Sequence, residues 1–514
     1  MTSINFDLTV VGFGVIGIET VSNIIKFSKK KKIKIIILEK NISNITGGVA
    51  YSKKTSKYGF FNNPLRLSHP EFIKWIKNKK NKIKIVKYIK NTKEDWLNSW
   101  LIKNQKILLS NSKGIDEIYL PRLVYSMFLD EKLKKVLKIC KTKNVKIHFF
   151  NGELSKITKK KHLICECKKN FKQFKINNKN NLIKITTKSK IIRNFITRNI
   201  VIGTGLLPPK KIRENRLFKN QNYIWDFYSE GGTYNLLAKI KKNLKIKRKI
   251  KIVFIGNKAG LLETMPELEK IIVRDQKKIE LLSISPKLIS LEKAEHSENY
   301  LKYKFKYLTR SNINKIKKSN EIVKLLQKEF KHSVKNKFNK YDVWTKVLKE
   351  DLIKLCFSKL SKAEKEVYNN RTFTKIRNLT RYTYPNTIIS KNRLVKLKKL
   401  SFLKDKVISL KFLKSLIKVV TKSKKIISAD MVVNVSGPAK LDKFGNEDSL
   451  VNSIKRLCFK FNERGFFANE NFEIGNRIYA PGLLSSNFNP NRHTIIKAIT
   501  INSHKSATGI LKSL

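Results

Sequence analysis

Short, continuous apolar runs that end on glycine dominate the hydrophobic pattern of this chain. Phe6–Val11 is such a run, interrupted only by Asp7 and Thr9 and closed by Gly12; an amphipathic stretch follows, and KKIKIIILEK supplies a second run that ends near Glu39. Runs with no polar alternation are the signature of strands buried on both faces, and the intervening 3.6-residue period is that of a helix packed on them. The same strand, helix, strand order returns from residue 249 as KIKIVFIGN, AGLLETMPELEKII and KKIELLSIS. Further runs stand alone in RNIVIGTGLLPPK, MVVNVSGPAK and Arg477–Ala480, the last followed by a helix predicted from near Thr494. Between about 296 and 390, Ile322, Val323, Leu325 and Leu326 sit among lysines in a helical pattern, and Lys168–Lys190 mixes polar and apolar positions as a β-meander does. The pattern predicts an α/β chain with two Rossmann-like units. Residues 1–240 and 395–514 form one interleaved half, 245–295 the second unit, and 296–390 a helical insertion.

The glycines add chemistry to the first unit. Gly12, Gly14 and Gly17 have the G-x-G-x-x-G spacing: the first allows a tight turn, the second lets the main chain approach a pyrophosphate, and the third lets the helix pack close to the strand. Glu39, at the end of the second strand, is placed to accept the ribose hydroxyls of an adenosine. In the second copy Gly256 remains, Gly260 lies one place early, Lys258 occupies the position of the middle glycine, and Pro266 is expected to interrupt the helix. Its closing strand leads to Ser285-Pro286-Lys287, where Lys287 offers a point charge to a ribose 2′-phosphate. Gly203-Thr204-Gly205 with Pro208-Pro209, and Ser436-Gly437-Pro438, are tight exits from strands that let the main chain pass close to a bound nucleotide.

Composition changes this picture little. The 514 residues carry 112 Lys plus Arg against 38 Asp plus Glu, a net +74, which ordinarily points to a polyanionic partner. Here the excess is mostly lysine, runs the length of the chain and comes with abundant asparagine and isoleucine, so it reads as general drift and not as a binding stripe. No nucleic-acid module accompanies it. The five cysteines, Cys140, Cys165, Cys167, Cys356 and Cys458, include no C-x-x-C pair, and the seven histidines form no metal-binding spacing. No apolar run has the length of a membrane span and the chain enters its first strand without a leader pattern, so a reduced, cytoplasmic setting is expected.

Beyond these units, motifs in order along the chain carry a more specific resemblance. TGGVAYS (Thr46–Ser52) is similar to a GxAYS element, FFNNPLRLSHPEFIKWI to a Leu-Asn-x-Pro segment through Asn62 and Pro64, and YLPRLVYSMFL to a Pro-Arg-x-x-Tyr helix start at Pro121, Arg122 and Tyr125. KLSKAEKEVYNNRTFTKIRNLTRYTYP is similar to a helical stretch ending in Arg377, Arg381 and Pro385, and IYAPGLLSSNFNPNRHTIIKAITINSHKSA to a closing strand, glycine turn and helix. The chain thus resembles the two-dinucleotide flavoprotein oxidoreductases, and among them the FAD/NAD(P)-binding proteins that include FAD-dependent urate hydroxylases and nitrosuccinate-forming aspartate N-monooxygenases.

The resemblance implies FAD in the first unit, NADPH or NADH over the second, and oxygen transfer to nitrogen or carbon of a small anionic substrate. It implies flavin contacts for Gly47, Gly48, Asn62, Gly203, Thr204, Gly205 and Gly482, with Tyr51 either stacked on the flavin or filling core. Arg122 is expected to clamp the pyrophosphate or a substrate carboxylate unless it is a surface arginine; Arg377 and Arg381 would bind an anionic substrate or NADP phosphate, or lie solvated. Ala480-Pro481-Gly482 replaces the Gly-Asp of many flavoproteins. His493, beside Arg492, is the one histidine near the expected flavin helix, and His69 reads as a loop residue. No residue is assigned as catalytic and no metal is expected. Two further readings stay open: an FAD- or nucleotide-binding protein without turnover, and a basic protein associated with nucleic acid.

Overall fold

The computed structural model describes residues 5–29, 32–52, 55–61, 63–92, 94–110, 113–159, 181–187, 192–205, 207–209, 212–214, 221–247, 249–288, 291–441, 449–457, 459–463, 465–486 and 495–514. Its first sheet is built on strand β1 (Asn5–Val11), followed by helix α1 (Val15–Phe27) and strand β2 (Lys34–Glu39). A helical excursion ends in helix α2 (Arg122–Thr142), after which strands β3 (Lys146–Lys159), β4 (Asn181–Thr187) and β5 (Ile192–Ile202) follow. β1 lies between β2 and β5, all parallel, with β3 outside β2. β4 pairs antiparallel with both β3 and β5, so the described part of the expected meander links these two long strands; residues 160–180 lie outside the described residues.

The residues of β1 and β2 divide between two cores, in strict alternation along β2. Leu8, Val10, Ile35 and Ile37 pack against α1 and α2, whereas Phe6, Val11, Ile36 and Leu38 face Leu154, Leu450 and Ile454. Both faces are therefore covered, which is why β2 carries an unbroken apolar run and why Thr9, a polar position of β1, is itself buried. α1 and α2 are also joined by a buried ion pair in which Lys132 Nζ donates to Glu19 at 2.8 Å and to Glu71 at 2.6 Å.

The second sheet starts at Tyr223–Ile224 and is built on strand β6 (Lys249–Ile255), helix α3 (Ala259–Glu269) and strand β7 (Lys278–Ser285). Pro266 does not end α3. The helix runs through it into a wider turn at Lys270–Arg274, because a proline removes one main-chain bond and the π-type turn absorbs the distortion. Helix α4 (Phe373–Leu379) is the last of the insertion; helix α5 (Pro385–Lys396) and strand β8 (Leu400–Lys404) then complete a parallel crossover beside β7. Strand β9 (Met431–Asn434) pairs with β6 on the other side.

These pairings move three expected boundaries. The second unit spans far more than 245–295: Ile388 and Leu394 of α5 share a core with Leu261 and Leu268 of α3, and the hairpin strands between Val407 and Ala429 cover the opposite face through Leu410 and Val419. The return to the first sheet begins not at 395 but after β9, reaching it with strand β10 (Ile478–Tyr479) beside β5 and helix α6 (Ile495–Leu511) against α1. Residue 240 likewise falls inside helix Gly232–Leu244, which packs on the second sheet through Leu236 and Ile240.

The insertion has its own core around Trp344, Tyr341, Leu326 and Tyr368. Inside it the buried Glu329 carboxylate accepts main-chain N–H bonds from Lys306, Tyr307 and Leu308 at 3.1, 2.7 and 2.8 Å, which holds the entry segment against the helices.

Candidate dinucleotide sites and the cleft between them

The first glycine turn is closed on every side by main chain. Gly12 has φ +82°, its N–H donates to the Leu38 carbonyl at 2.8 Å, and a Cβ there would lie 2.7 Å from the Gly203 oxygen. Gly17 packs against the same turn, a Cβ on it falling 2.6 Å from the Gly12 oxygen. Gly14 begins α1 with no side chain capping the helix, and a Cβ on it would sit 3.2 Å from Gly48 Cα. The uncapped amides and partial positive charge of that N-terminus are left for an anion. Glu39 closes the turn, its carboxylate accepting the Phe13 N–H at 2.9 Å and the Asn41 N–H at 3.2 Å.

The other expected flavin residues converge on this turn. Thr46 N–H donates to the Phe13 carbonyl at 2.9 Å and its hydroxyl to Asp130 at 2.6 Å, which pins the loop carrying Gly47 and Gly48 beside Gly14. Gly47 has no room for a side chain, since a Cβ would meet the Tyr51 oxygen at 2.1 Å. Gly203 N–H donates to the Val11 carbonyl at 2.7 Å, so the strand exit crosses directly over the first turn, with Thr204 exposed and Gly205 at φ +79° beyond it. Gly482 abuts Ile16 in the first turn of α1. Asn62, Arg492 and His493 lie outside the described residues. The Tyr51 ring packs edge-on against Tyr125 at 5.0 Å and near Phe61 at 6.1 Å, on the core of the first unit, and burial pushes its hydroxyl up to about 12. His69 is no loop residue: it is buried at the start of helix Pro70–Lys77, its Nδ1 accepting the Phe72 N–H at 3.4 Å, and burial lowers it to about 4.

The second turn repeats the first with different chemistry. Gly256, at φ +113°, donates its N–H to the Ile284 carbonyl at 2.8 Å; a Cβ would strike the Val435 oxygen at 2.8 Å. Gly260 packs under the Val435 side chain. The exit from β9 thus crosses the second turn as Gly203 crosses the first. The two crossings meet: Pro209 and Pro438 form a bridge, and Ala439 N–H donates to the Pro208 carbonyl at 3.0 Å. The chain passes from one unit to the other and back through this pair of connections.

At the contact between the two units, Arg122 is neither a surface arginine nor a free clamp. Its guanidinium runs over Gly59 and meets the carboxylate of Glu263 on α3 with both terminal nitrogens. Burial would lower its pKa, but Glu263, with smaller contributions from Tyr51 and Tyr228, holds it raised. Glu263 was not legible as a site residue, because its partner lies in another unit. Arg377 is exposed and Arg381 half-buried; burial, and after it the charges of Arg381, Arg377 and Lys287, lower the pKa of Lys258.

A second charged contact joins the insertion to the first unit. His296 Nδ1 lies 2.7 Å from Asp342, its Nε2 3.4 Å from Glu117, and Glu117 also accepts from Arg66 Nε at 2.6 Å; Tyr300 stacks on the imidazole at 4.0 Å and Tyr341 packs beside it. Burial opposes the imidazolium, but the hydrogen bonds and charges of Asp342 and Glu117 outweigh it and raise the pKa above 6.5. A raised folded-state value means that this contribution is full below 6.5 and is lost as pH climbs through the folded value. The melting-temperature gap between the native chain and His296→Gln is therefore expected to narrow from about pH 5.5 to about pH 8.5. A gap that stays constant or widens would contradict this assignment. No sequence signal marked this histidine. Among the described residues no cluster of His, Cys, Asp and Glu has the makings of a metal site.

The parallel sheet with its glycine turn and terminal acid, joined by paired connections to a second such unit, is the FAD/NAD(P)-binding fold. Residues 9–170 match the family model described as FAD-NAD(P)-binding. Over the whole chain the structure is similar to an ornithine N-hydroxylase from Kutzneria sp. 744 solved with reduced FAD, NADP+ and L-ornithine (TM-score 0.54, 12% identity, 99% of each chain covered). It is also similar to the FAD-bound cadaverine monooxygenase of Erwinia amylovora (0.52, 12%, covering 100% of this chain and 95% of that one) and to the ornithine hydroxylase of Pseudomonas aeruginosa (0.51, 11%, 99% of each). At such identities the shared property is the fold. No protein of curated function matches the sequence.

Proposed function

We propose that this chain is an FAD-dependent, NAD(P)H-consuming monooxygenase acting on a small substrate that is anionic or presents a nitrogen for oxygenation. The observation that carries the reading is the pair of glycine turns, each crossed by one of two connections that bridge at Pro209 and Pro438. Each turn would hold one dinucleotide. The structurally similar ornithine and cadaverine hydroxylases support an amine as the first substrate class to test.

The residues of the first turn fit FAD. The space over Gly14 and Gly48 is one that side chains would fill, and the uncapped α1 amides suit a pyrophosphate. Glu39 takes the ribose hydroxyls, Gly47 and Gly48 let the flavin pass, and the connections through Gly203 and Gly482 close behind it. FAD, when bound, supplies hydride acceptance from a nicotinamide and activation of oxygen. The chain's part would be to orient the two cofactors, with Tyr51 held beside Gly47 by its packing on Phe61 and Tyr125 in the core of the first unit. The buried Cys140 and Cys356 thiols, raised to about 11 and 12 by burial, are inert and suit a reduced cytoplasmic setting.

The test is the visible spectrum of the purified protein, followed by anaerobic NADPH or NADH and then by oxygen with ornithine, lysine or cadaverine. A bound flavin that bleaches with the nicotinamide supports the reading. A flavin that no nicotinamide reduces favours a binding protein without turnover, consistent with Lys258 at the middle-glycine position, and the lack of flavin after reconstitution overturns the reading.

A further inference from the structure

Helix α6 carries an asparagine where packing alone would favour an apolar residue. Asn502 is 8% exposed and is buried with Ala498, Ser503 and Ser506 of the same helix. An amide side chain in a helix interior competes with the helix's own bonds and is costly to bury unless it is hydrogen-bonded. Its Nδ2 donates to the Pro481 carbonyl at 3.1 Å. Ser506 Oγ likewise donates to the Asn471 carbonyl at 3.0 Å, and Gly509 leaves room for Asn471 and Tyr479, each 3.0 Å from where its Cβ would lie. At i, i+4 and i+7 these three positions line one side of α6 and brace the chain between Asn471 and Pro481.

The turn that follows is bonded to the rest of the chain through its carbonyls. Pro481 accepts from Asn502, Gly482 from Ser485 N–H at 3.1 Å and Leu484 from Phe466 N–H at 2.7 Å. Among the described residues, none accepts a hydrogen bond from the N–H groups of Gly482, Leu483 or Leu484, although Gly482 and Leu484 are buried. Main-chain N–H groups in buried positions are almost always paired, so three successive ones without an acceptor point to an acceptor outside the chain. A peptide group is planar and trans, so its C=O and N–H point in opposite directions. By holding the Pro481 carbonyl on α6, Asn502 therefore turns the Gly482 N–H away from that helix. The turn lies at the first dinucleotide site: Ile16, in the first turn of α1, has its Cβ 3.4 Å from where a Cβ on Gly203 would lie, and its Cδ1 stands in the way of a Cβ on Gly482.

We infer that Asn502 is a positioning residue for the flavin: through the Pro481–Gly482 peptide it aims the N–H groups of Gly482, Leu483 and Leu484 at the carbonyl edge of the FAD ring. This rests on the reading of the first unit as an FAD site. The uncapped amides of α1 suit the pyrophosphate, which leaves the carbonyl edge as the acceptor for this turn. Negative charge grows on that edge when a flavin is reduced, so N–H donors aimed there hold the reduced form more strongly than the oxidised one. Asn502 acts through the turn, and it thereby sets the potential at which a nicotinamide reduces the flavin.

The test is Asn502→Leu, of the same branched shape and without a donor, with Ser506→Ala as the control one turn along the same helix. Native and variant proteins are loaded with FAD, and the two-electron potential is measured by anaerobic dye equilibration beside the melting temperature. Asn502→Leu is expected to favour reduced over oxidised flavin at least about tenfold less than the native protein, a potential about 30 mV more negative. Ser506→Ala is expected to lower the melting temperature and leave the potential where it is. A potential that moves in neither variant, or equally in both, overturns the inference and leaves the FAD reading intact. Hydrogen exchange of the native protein needs no variant: FAD loading is expected to slow exchange at residues 482–484 at least about tenfold. Unchanged exchange there with flavin bound overturns the inference, whether or not Asn502→Leu folds. Native protein that folds but takes up no FAD removes the FAD reading, and the inference with it.

Discussion

Gly14→Val is expected to give a folded chain that purifies without flavin. The first atom of any side chain at this position would stand 3.2 Å from Gly48 Cα, a tight contact that a loop shift of a few tenths of an ångström relieves, so the fold survives. The two methyl groups of valine would then project over the uncapped start of α1, in the space the pyrophosphate needs. A loss of at least about two orders of magnitude in FAD affinity is expected, roughly 2.7 kcal/mol. It is read from the flavin-to-protein ratio after reconstitution, with circular dichroism and melting as controls for folding. Gly12→Val is the wrong variant for this question. Gly12 has φ +82° and a side chain there strikes the Gly203 oxygen at 2.7 Å, so it breaks the crossing of main chains itself and confuses a binding defect with a folding one. Stoichiometric flavin in folded Gly14→Val would show that the pyrophosphate does not lie over α1, and the first unit would need another ligand.

What was legible in the sequence is what local chemistry dictates. The β1 run, the glycine spacing and Glu39 lie within one βαβ unit, where strand, turn and helix each constrain the next residues, and all appear where the pattern puts them. The crossings at Gly203 and near Ser436 were visible as strand ends because glycine and proline mark turns by their own backbone limits. The boundary at 395 failed for the opposite reason. Leu400–Lys404 reads as one more apolar strand, and only its parallel pairing with β7, across the whole insertion, assigns it to the second sheet. Parallel partners are joined by long crossovers and leave no mark in the local pattern. Pro266 misled because a penalty for one lost hydrogen bond does not fix a helix end when tertiary packing, here Leu262, Met265 and Leu268 in the core, holds the helix together.

The same locality explains the polar contacts. Arg122 was identifiable at a helix start, but its partner is 141 positions away on α3. His296 shows no motif, and its three charged neighbours, Asp342, Glu117 and Arg66, come from two other regions of the chain. Lys287, Arg377 and Arg381 were visible singly in the sequence; the short parallel pairing of Glu292–Lys293 with Tyr382–Thr383, which ties the end of the insertion to the chain beyond β7, was not. Sequence thus supplies the parts of a site, and topology decides which parts meet.

The Arg122–Glu263 pair shows what such a meeting is worth. Both side chains are about 15% exposed, and the pair spans the cleft between the two dinucleotide units. Arg122→Ala leaves the Glu263 carboxylate largely desolvated beside Tyr228 and Tyr51, whose hydroxyls are already pushed up by burial and do not supply a replacement charge. Removing one partner of a largely buried ion pair costs on the order of 3 kcal/mol, and each kcal/mol lowers the melting temperature of a domain of this size by roughly 2–4 °C, so a drop of roughly 6–12 °C is expected. Glu263→Ala leaves the equally buried guanidinium unpaired, and should cost a similar amount. In the double variant no buried charge is left unpaired, so it should be clearly more stable than the sum of the single effects predicts, with a coupling of at least about 1 kcal/mol. Melting of all four FAD-loaded proteins measures that coupling. Because the pair joins α2 to α3, the single variants should also speed proteolysis at the connections around Pro209 and Pro438, which a local packing defect within either unit would not do. Additive losses within about 0.5 kcal/mol, with unchanged proteolysis, would mean that the units are held together by the connections and the apolar contacts of the cleft alone.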